Sequence, residues 1–186
     1  MTEEEIPQTR YDGPHDTCPL GVAHEHTLKR VIDGYVLGEV VVTEQVARSL
    51  AAMLDGQSVE GKRFAARNLR NATEEWAHDA LAAALDREDD AFTAGLIISA
   101  LGNQKRREGV EHIEKWVARA DEAFVAANIM ASYIQLWTET GCAKDRLDPS
   151  CEKIERTIAA FAQSPDPITA HEARRLADII ASREPE

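Results

Sequence analysis

Apolar residues recur at steps of three and four along most of the chain, which is the pattern of helices that bury one face. This pattern begins near residue 24 and predicts about nine helices, the first of them around Leu28–Tyr35. Thr43 and Thr73 stand where N-caps are expected, Ser58 and Asp90 begin two further helices, and Pro149 and Pro167 follow capping aspartates at two more helix starts. No stretch alternates with period two over a useful length, so the sequence predicts an all-α fold.

The first 23 residues differ from the rest of the chain in composition and in hydrophobic periodicity. They contain several prolines and glycines, few large apolar residues and no periodic pattern. We therefore expect an irregular N-terminal arm over residues 1–23 and a single α-helical domain over residues 24–186. With 44% hydrophobic residues in 186, the chain can bury a real core.

An internal repeat accompanies the helical pattern. Residues 89–94 and 121–126 match at an offset of 32 residues, and both carry acidic residues followed by alanine and phenylalanine. The same offset aligns Leu81 with Ile113 and Leu85 with Val117, which lie in the apolar stripes of the preceding helices. The match predicts helical hairpins that stack and share a core, because a single hairpin cannot bury both of its faces. It also predicts that Phe92 and Phe124 occupy equivalent buried places. In the last helix, Ile168 is expected to be buried as well.

Two of the predicted second helices of these hairpins resemble those of HEAT-type repeats. They are the segments over residues 63–69 and 94–102, and the likeness extends roughly over residues 43–140 and less clearly over residues 149–183. The units here are shorter than the family's usual ~40–47 residues, which leaves tetratricopeptide-like or irregular hairpin arrays open. The resemblance implies a small α-solenoid that serves as a scaffold for binding proteins or peptides, and it implies no catalytic residue.

The net charge of −12, from 21 basic and 33 acidic residues, bears on the choice of partner. The acid is concentrated toward the two ends of the chain, whereas residues 61–120 are neutral. Such a chain lacks the basic stripe that nucleic acids and anionic membranes require. The charge favours a protein partner with a basic surface, as for a toxin-neutralising immunity protein, an adaptor or an assembly subunit. A purely structural subunit, whose charge only keeps it in solution, is the alternative.

Four residues in the helical part are candidate contacts for such a partner. His112 and Trp116 lie four apart on one side of a predicted helix, beside its apolar stripe, where a half-exposed aromatic is a plausible contact. Asn68 and Asn128 stand in alanine-rich second helices, which often turn polar groups toward a groove. Packing beneath the next repeat is the alternative for Trp116, and plain solvent exposure is the alternative for the asparagines.

The arm carries a second kind of candidate site. His15, Cys18, His24 and His26 are all zinc-ligand types, and four such ligands would close a tetrahedral site. Their spacing matches no established zinc finger. A metal-binding protein that uses these four residues with zinc, either to hold the metal or for hydrolysis, is therefore the alternative function; otherwise we expect no cofactor.

No enzyme signature stands out elsewhere in the chain. There is no Gly-rich phosphate loop, no nucleophile elbow and no zinc-protease motif. Glu75 and His78 form a Glu-x-x-His step of the kind found in di-iron bundles, but no second such step occurs. We interpret them as a glutamate favourable to the helix start and a surface histidine.

The cysteines and the N-terminus bear on the compartment. Three cysteines without an export signal argue against a disulfide framework, although Cys142 and Cys151 could pair in an oxidising environment. The acidic first residues differ from the basic start of a signal peptide, and no apolar run is long enough to span a membrane. A cytoplasmic location is the expectation.

Overall fold

The computed structural model describes residues 44–70, 72, 74–120, 123–142 and 148–182. In this part of the chain, the regular secondary structure consists of α-helices joined by short turns. Within these ranges no strand occurs, and the all-α prediction is confirmed there. The predicted arm, the first of the predicted helices and the predicted N-caps Thr43 and Thr73 lie outside the described residues. The eight described helices are α1 Glu44–Leu54, α2 Val59–Leu69, α3 Glu75–Arg87, α4 Ala91–Asn103, α5 Gly109–Val117, α6 Ala123–Glu139, α7 Pro149–Phe161 and α8 Pro167–Ser182.

Side-chain caps fix several of the helix starts at the predicted residues. The Ser58 hydroxyl accepts a hydrogen bond from a backbone N–H of α2 at 3.1 Å, and the Asp90 carboxylate accepts one from Thr93 N–H of α4 at 2.8 Å. Asp148 caps α7 in the same way, with Pro149 as the first helical residue. Each cap satisfies a backbone N–H that the helix itself leaves free. Because that N–H lies within three residues of the capping side chain, the helix start can be predicted from the local sequence.

The even-numbered helices α2, α4 and α6 pack side by side and run parallel. Arg63 near the start of α2 donates to Thr93 near the start of α4, and Gln104 just after α4 donates to the Leu69 carbonyl at the end of α2. Between α4 and α6, the amide of Gln135 donates to Asn103 near their C-terminal ends. α8 packs beside α6 and α7.

α4 and α6 approach most closely at two glycines. A Cβ atom added to Gly95 would lie 2.4 Å from the Phe124 ring, and one added to Gly102 would lie 2.5 Å from the Cβ atom of Ser132. Ser132 itself donates to the Ile98 carbonyl of α4 at 2.9 Å. The small residues therefore let the two helices approach closely.

Charged side chains join neighbouring odd-numbered helices. Asp86 of α3 pairs with Lys115 of α5 at 2.8 Å, and Glu114 of α5 pairs with Arg156 of α7 at 3.4 Å. The Tyr133 hydroxyl of α6 also donates to Glu114, at 2.9 Å. Burial, with the nearby Glu114 charge, raises the pKa of Tyr133, so the phenol stays protonated and serves as a donor.

The apolar core lies between the odd and the even helices. Leu81 and Ile113, which the repeat aligns, are both fully buried. The other large fully buried side chains include Leu50, Leu69, Leu85, Ile97, Ile98, Leu101, Ile129, Tyr133, Leu136 and Trp137. The repeat therefore predicts the core positions correctly at Leu81, Leu85 and Ile113, whereas Val117 is half-buried.

A disulfide bond joins Cys142, just after α6, to Cys151 in the first turn of α7. The sequence left this pairing open; in the structure, the turn at Gly141 (φ +81°) and the start of α7 bring both residues into the core. Arg107 closes the same corner: its guanidinium pairs with Asp148 at 2.6 Å and also donates to the Thr140 carbonyl. Disulfides persist mainly in oxidising compartments, so the bond does not favour the expected cytoplasmic location. Among the described helices, none is long and apolar enough to cross a membrane.

Candidate functional site: an apolar edge and the Trp116 cleft

Exposed large apolar side chains of the described residues lie in the first turn of the even-numbered helices. In the described part of the chain, the exposed large hydrophobic residues are Val59 at 44%, Phe92 at 39%, Phe124 at 38% and Ile168 at 73% relative exposure. Each is the first or second residue of α2, α4, α6 or α8. We call these four residues the apolar edge.

The two phenylalanines of the apolar edge correct an expectation from the sequence. They are equivalent in position, as the repeat indicates, and their rings stack with centroids 4.6 Å apart and planes 14° apart. They are not buried, however, because side chains in the first turn of a helix lean back toward its N-terminus and past the packed faces. Ile168 is exposed for the same reason and not buried as expected.

Arg63 supports the apolar edge from α2. Its guanidinium lies 4.8 Å from the centre of the Phe92 ring and pairs with the Asp90 carboxylate at 3.0 Å. The Thr93 hydroxyl and backbone N–H, together with Arg63, lower the pKa of Asp90 to about 2. The capping carboxylate therefore remains negatively charged at any physiological pH.

A groove of about 660 Å³ lies beside Phe92, between the start of α4 and the end of α5. We call it the Trp116 cleft. The Arg119 guanidinium lies 4.0 Å from the centre of the Trp116 ring and 3.8 Å from the Asp89 carboxylate, and it donates to the Asp89 carbonyl at 3.2 Å. The cleft is lined by Asp89, Asp90, Ala91, Phe92, Trp116, Ala118 and Arg119.

Trp116 and His112 differ from the half-exposed contact pair that the sequence suggested. Trp116 is buried, and its indole N–H donates to the Leu85 carbonyl of α3 at 3.3 Å, so only part of the ring borders the cleft. His112 Nδ1 lies 3.2 Å from Asp86, which Lys115 also contacts. Partial burial raises the pKa of Asp86, but the hydrogen bonds from Lys115 and His112 outweigh it and lower that pKa. Both candidates therefore tie α5 to α3.

Asn68 and Asn128 bond within their own helices. The Asn68 amide donates to the Phe64 carbonyl at 2.7 Å, and the Asn128 amide donates to the Phe124 carbonyl at 2.8 Å. Both side chains are half-buried on even-numbered helices. Because α4 lies between α2 and α6, the structure does not bring the two asparagines together.

His78 is buried in α3, which corrects its interpretation as a surface residue. Its Nδ1 lies 3.1 Å from the Gln104 side-chain oxygen, and the Gln104 amide donates to the Leu69 carbonyl at 3.2 Å. Within the described residues its Nε2 has no hydrogen-bond partner. Burial lowers the pKa of His78, so the neutral ring is favoured and acts as a packing group.

The candidate zinc ligands His15, Cys18, His24 and His26 lie outside the described residues. Across the described ranges, no group of three or more His, Cys, Asp or Glu residues could hold a metal ion. The described part of the chain therefore offers the apolar edge and the Trp116 cleft as its candidate sites.

Sequence reasoning missed several residues of these two sites. Val59, Ile168 and Arg119 carry no local motif, and Arg63 was noted only as part of a helix resembling a known repeat. One signal was available: a large apolar residue one or two positions after Ser58, Asp90 and Asp166, at positions 59, 92 and 168. Comparisons of the chain with protein-family models, curated proteins and solved structures found no match.

Proposed function

We propose that the chain is a non-catalytic module that binds another protein through the apolar edge. The observation that carries the proposal is the placement of the four exposed apolar side chains in the first turn of successive even-numbered helices. Exposed apolar side chains scattered singly need no explanation, but a row of them marks an interaction surface. The stacked hairpins of a small α-solenoid, similar to HEAT-type repeats, would present such a row along one side.

The surface next to the Phe92–Phe124 pair supports the same proposal. α4 contains no charged residue, and α6 contains none before its last residue, Glu139, in a chain whose residues are 29% charged. Half-buried Leu96 of α4 and Ile134 of α6 extend the apolar area away from the two rings. Depletion of charge around aromatic residues is typical of the centre of a protein interface.

Carboxylates near the apolar edge, together with the net charge of −12, favour a partner with a basic surface. Asp89 and Asp90 precede α4, and Asp166 precedes α8. Hydrogen bonds from Thr169 lower the pKa of Asp166, which keeps this carboxylate charged as well. The partner classes that fit are a basic toxin neutralised by this chain, or a basic subunit of an assembly that this chain joins as an adaptor.

The test compares the wild type with a Phe92→Ser/Phe124→Ser double variant. Each is used to capture proteins from cells of the source organism, and a captured basic protein is then purified for binding kinetics. A matched Ala159→Ser/Ala160→Ser variant on exposed positions of α7 controls for the added hydroxyls. We expect the double phenylalanine variant to weaken binding by about tenfold or more, and the control to bind like the wild type.

The kinetics separate the two parts of the proposal. If the partner is basic, its association rate should fall as salt rises through about 0.1 M, where the Debye length is about 10 Å. An association rate indifferent to salt would contradict the inference from charge. Equal binding by the wild type and the double phenylalanine variant would contradict the apolar edge as the binding surface.

A further inference from the structure

The Trp116 cleft already holds a guanidinium group that belongs to the chain itself. The central guanidinium carbon of Arg119 lies over the Trp116 ring, 4.0 Å from its centre, and its nitrogens lie 3.8 Å from the Asp89 carboxylate and 3.2 Å from the Asp89 carbonyl. The cleft therefore combines an aromatic face, a carboxylate and a backbone acceptor around one cation.

We propose that the Trp116 cleft binds an arginine side chain of the basic protein partner. This inference rests on the proposed function, because it names the group of that partner which the cleft would recognise. The cleft adjoins the apolar edge through Phe92, which lines both. A partner segment with an apolar residue beside an arginine would therefore fill the two sites together.

The chemistry of the cleft favours arginine over lysine. A planar guanidinium stacks on an indole ring and can offer parallel donors to a carboxylate, whereas an ammonium group is a compact and strongly hydrated point charge. Asp90 adds a second negative charge to the wall, and its own carboxylate is already engaged by Arg63 and Thr93. Asp89 is the carboxylate that remains accessible, since its side chain is almost fully exposed.

The Arg119 side chain can be displaced from the Trp116 ring by an arginine of the partner. Its ion pair with Asp89 is long, at 3.8 Å, and about half of its side chain is exposed. An exposed pair of this kind contributes little stability, so exchanging one guanidinium for another costs little. Removing Arg119 should therefore make the cleft a better arginine site.

The test uses the full chain, labelled with nitrogen-15, and a short capped peptide, acetyl-Gly-Arg-Gly-amide. Binding is followed in NMR spectra through the indole N–H of Trp116 and the backbone N–H of Arg119. The peptide with citrulline in place of arginine is the neutral isostere, and the lysine peptide tests the shape of the cation. Asp89→Asn is compared with Asp55→Asn, and Arg119→Ala with Arg175→Ala, both controls being exposed, ion-paired residues outside the cleft.

We expect the arginine peptide to shift the Trp116 and Arg119 signals and the citrulline peptide to leave them unchanged. Asp89→Asn should weaken binding about three- to fivefold, as for loss of an exposed ion pair, and Arg119→Ala should strengthen it about threefold or more. The lysine peptide should bind more weakly than the arginine peptide, and both control variants should bind like the wild type.

Three results would overturn the assignment. They are equal shifts with citrulline, an Arg119→Ala variant that binds no better than Arg175→Ala, or an Asp89→Asn variant that binds like Asp55→Asn. These failures are distinguishable from failure of the proposed function. If binding of the purified partner depends on Phe92 and Phe124 but no arginine peptide enters the cleft, the function stands and the cleft assignment falls.

Discussion

Replacing Gly102 with alanine should destabilise the protein, although alanine is the better helix former. The added methyl group would lie 2.5 Å from the Cβ atom of Ser132 and 2.7 Å from its Cα atom, so the α6 backbone itself would have to move. The Ser132 hydroxyl, which donates to the Ile98 carbonyl, would lie 2.6 Å from the new methyl group and lose its position.

The expected change in the free energy of unfolding is the sum of one stabilising and two destabilising contributions. Alanine in place of glycine in a helix interior gains about 1 kcal/mol. Overpacking costs ~1–3 kcal/mol, toward the upper end here because backbone must shift, and the lost hydrogen bond costs about 1 kcal/mol. We therefore expect the free energy of unfolding to fall by about 2–3 kcal/mol.

Two other glycines provide graded comparisons. At Gly109 the nearest atom to an added methyl group is His78 Cε1 at 3.4 Å, an ordinary contact, so Gly109→Ala should be neutral or slightly stabilising. At Gly95 the obstacle is the Phe124 ring, which is partly exposed and can rotate away, so Gly95→Ala should fall between the two.

Urea denaturation followed by far-UV circular dichroism measures all three variants under one condition. The reasoning requires the order of stability to be Gly109→Ala, then Gly95→Ala, then Gly102→Ala. A Gly102→Ala protein as stable as Gly109→Ala would refute the close contact between α4 and α6.

Three further outcomes are expected. The Cys142–Cys151 bond spans a separation of 9 residues, and reducing it should lower the free energy of unfolding by about 2.6 kcal/mol because the unfolded chain gains the entropy of the opened loop. A variant with alanine at both positions should show no effect of reductant in the same urea titration. Burial lowers the pKa of His78 from 6.5, so the unfolded state binds more protons than the folded state below that pH, and the free energy of unfolding should fall as the pH drops below about 6.5. His78→Asn should flatten this slope between about pH 7.5 and 5.5. An unchanged slope in the variant would contradict the role of His78. Phe92→Ala should lower the free energy of unfolding by about 1–2 kcal/mol, less than the ~3–5 kcal/mol expected for a buried phenylalanine, because its ring is partly exposed and stacked on Phe124. A decrease of ~3–5 kcal/mol would show instead that the ring packs in the core.

Local chemistry made much of the fold predictable from the sequence. Ser58, Asp90 and Asp148 act within one turn of their own position, so their capping role can be read without knowing the tertiary structure. The repeat likewise aligns Leu81 with Ile113 in the core, because both lie in the middle of their helices.

The candidate site was harder to predict because it depends on where helices end relative to their neighbours. Periodicity placed Val117 in the apolar stripe of α5, whereas Trp116 is the buried residue, held by a carbonyl 31 positions away. Repetition showed that Phe92 and Phe124 are equivalent but could not show that both lie at an edge. The count of cysteines could not reveal that a turn brings Cys142 to Cys151.

The position of α4 has a consequence for how the protein opens. α4 packs against α2, α3, α5 and α6, whereas among the described helices α8 makes its main contacts with α6 and α7. In an array whose units are stabilised by their neighbours, local unfolding starts where neighbours are few. The backbone amide hydrogens of α4 should therefore exchange with solvent more slowly than those of α8, and loss of α8 by fraying should leave the Phe92–Phe124 pair in place.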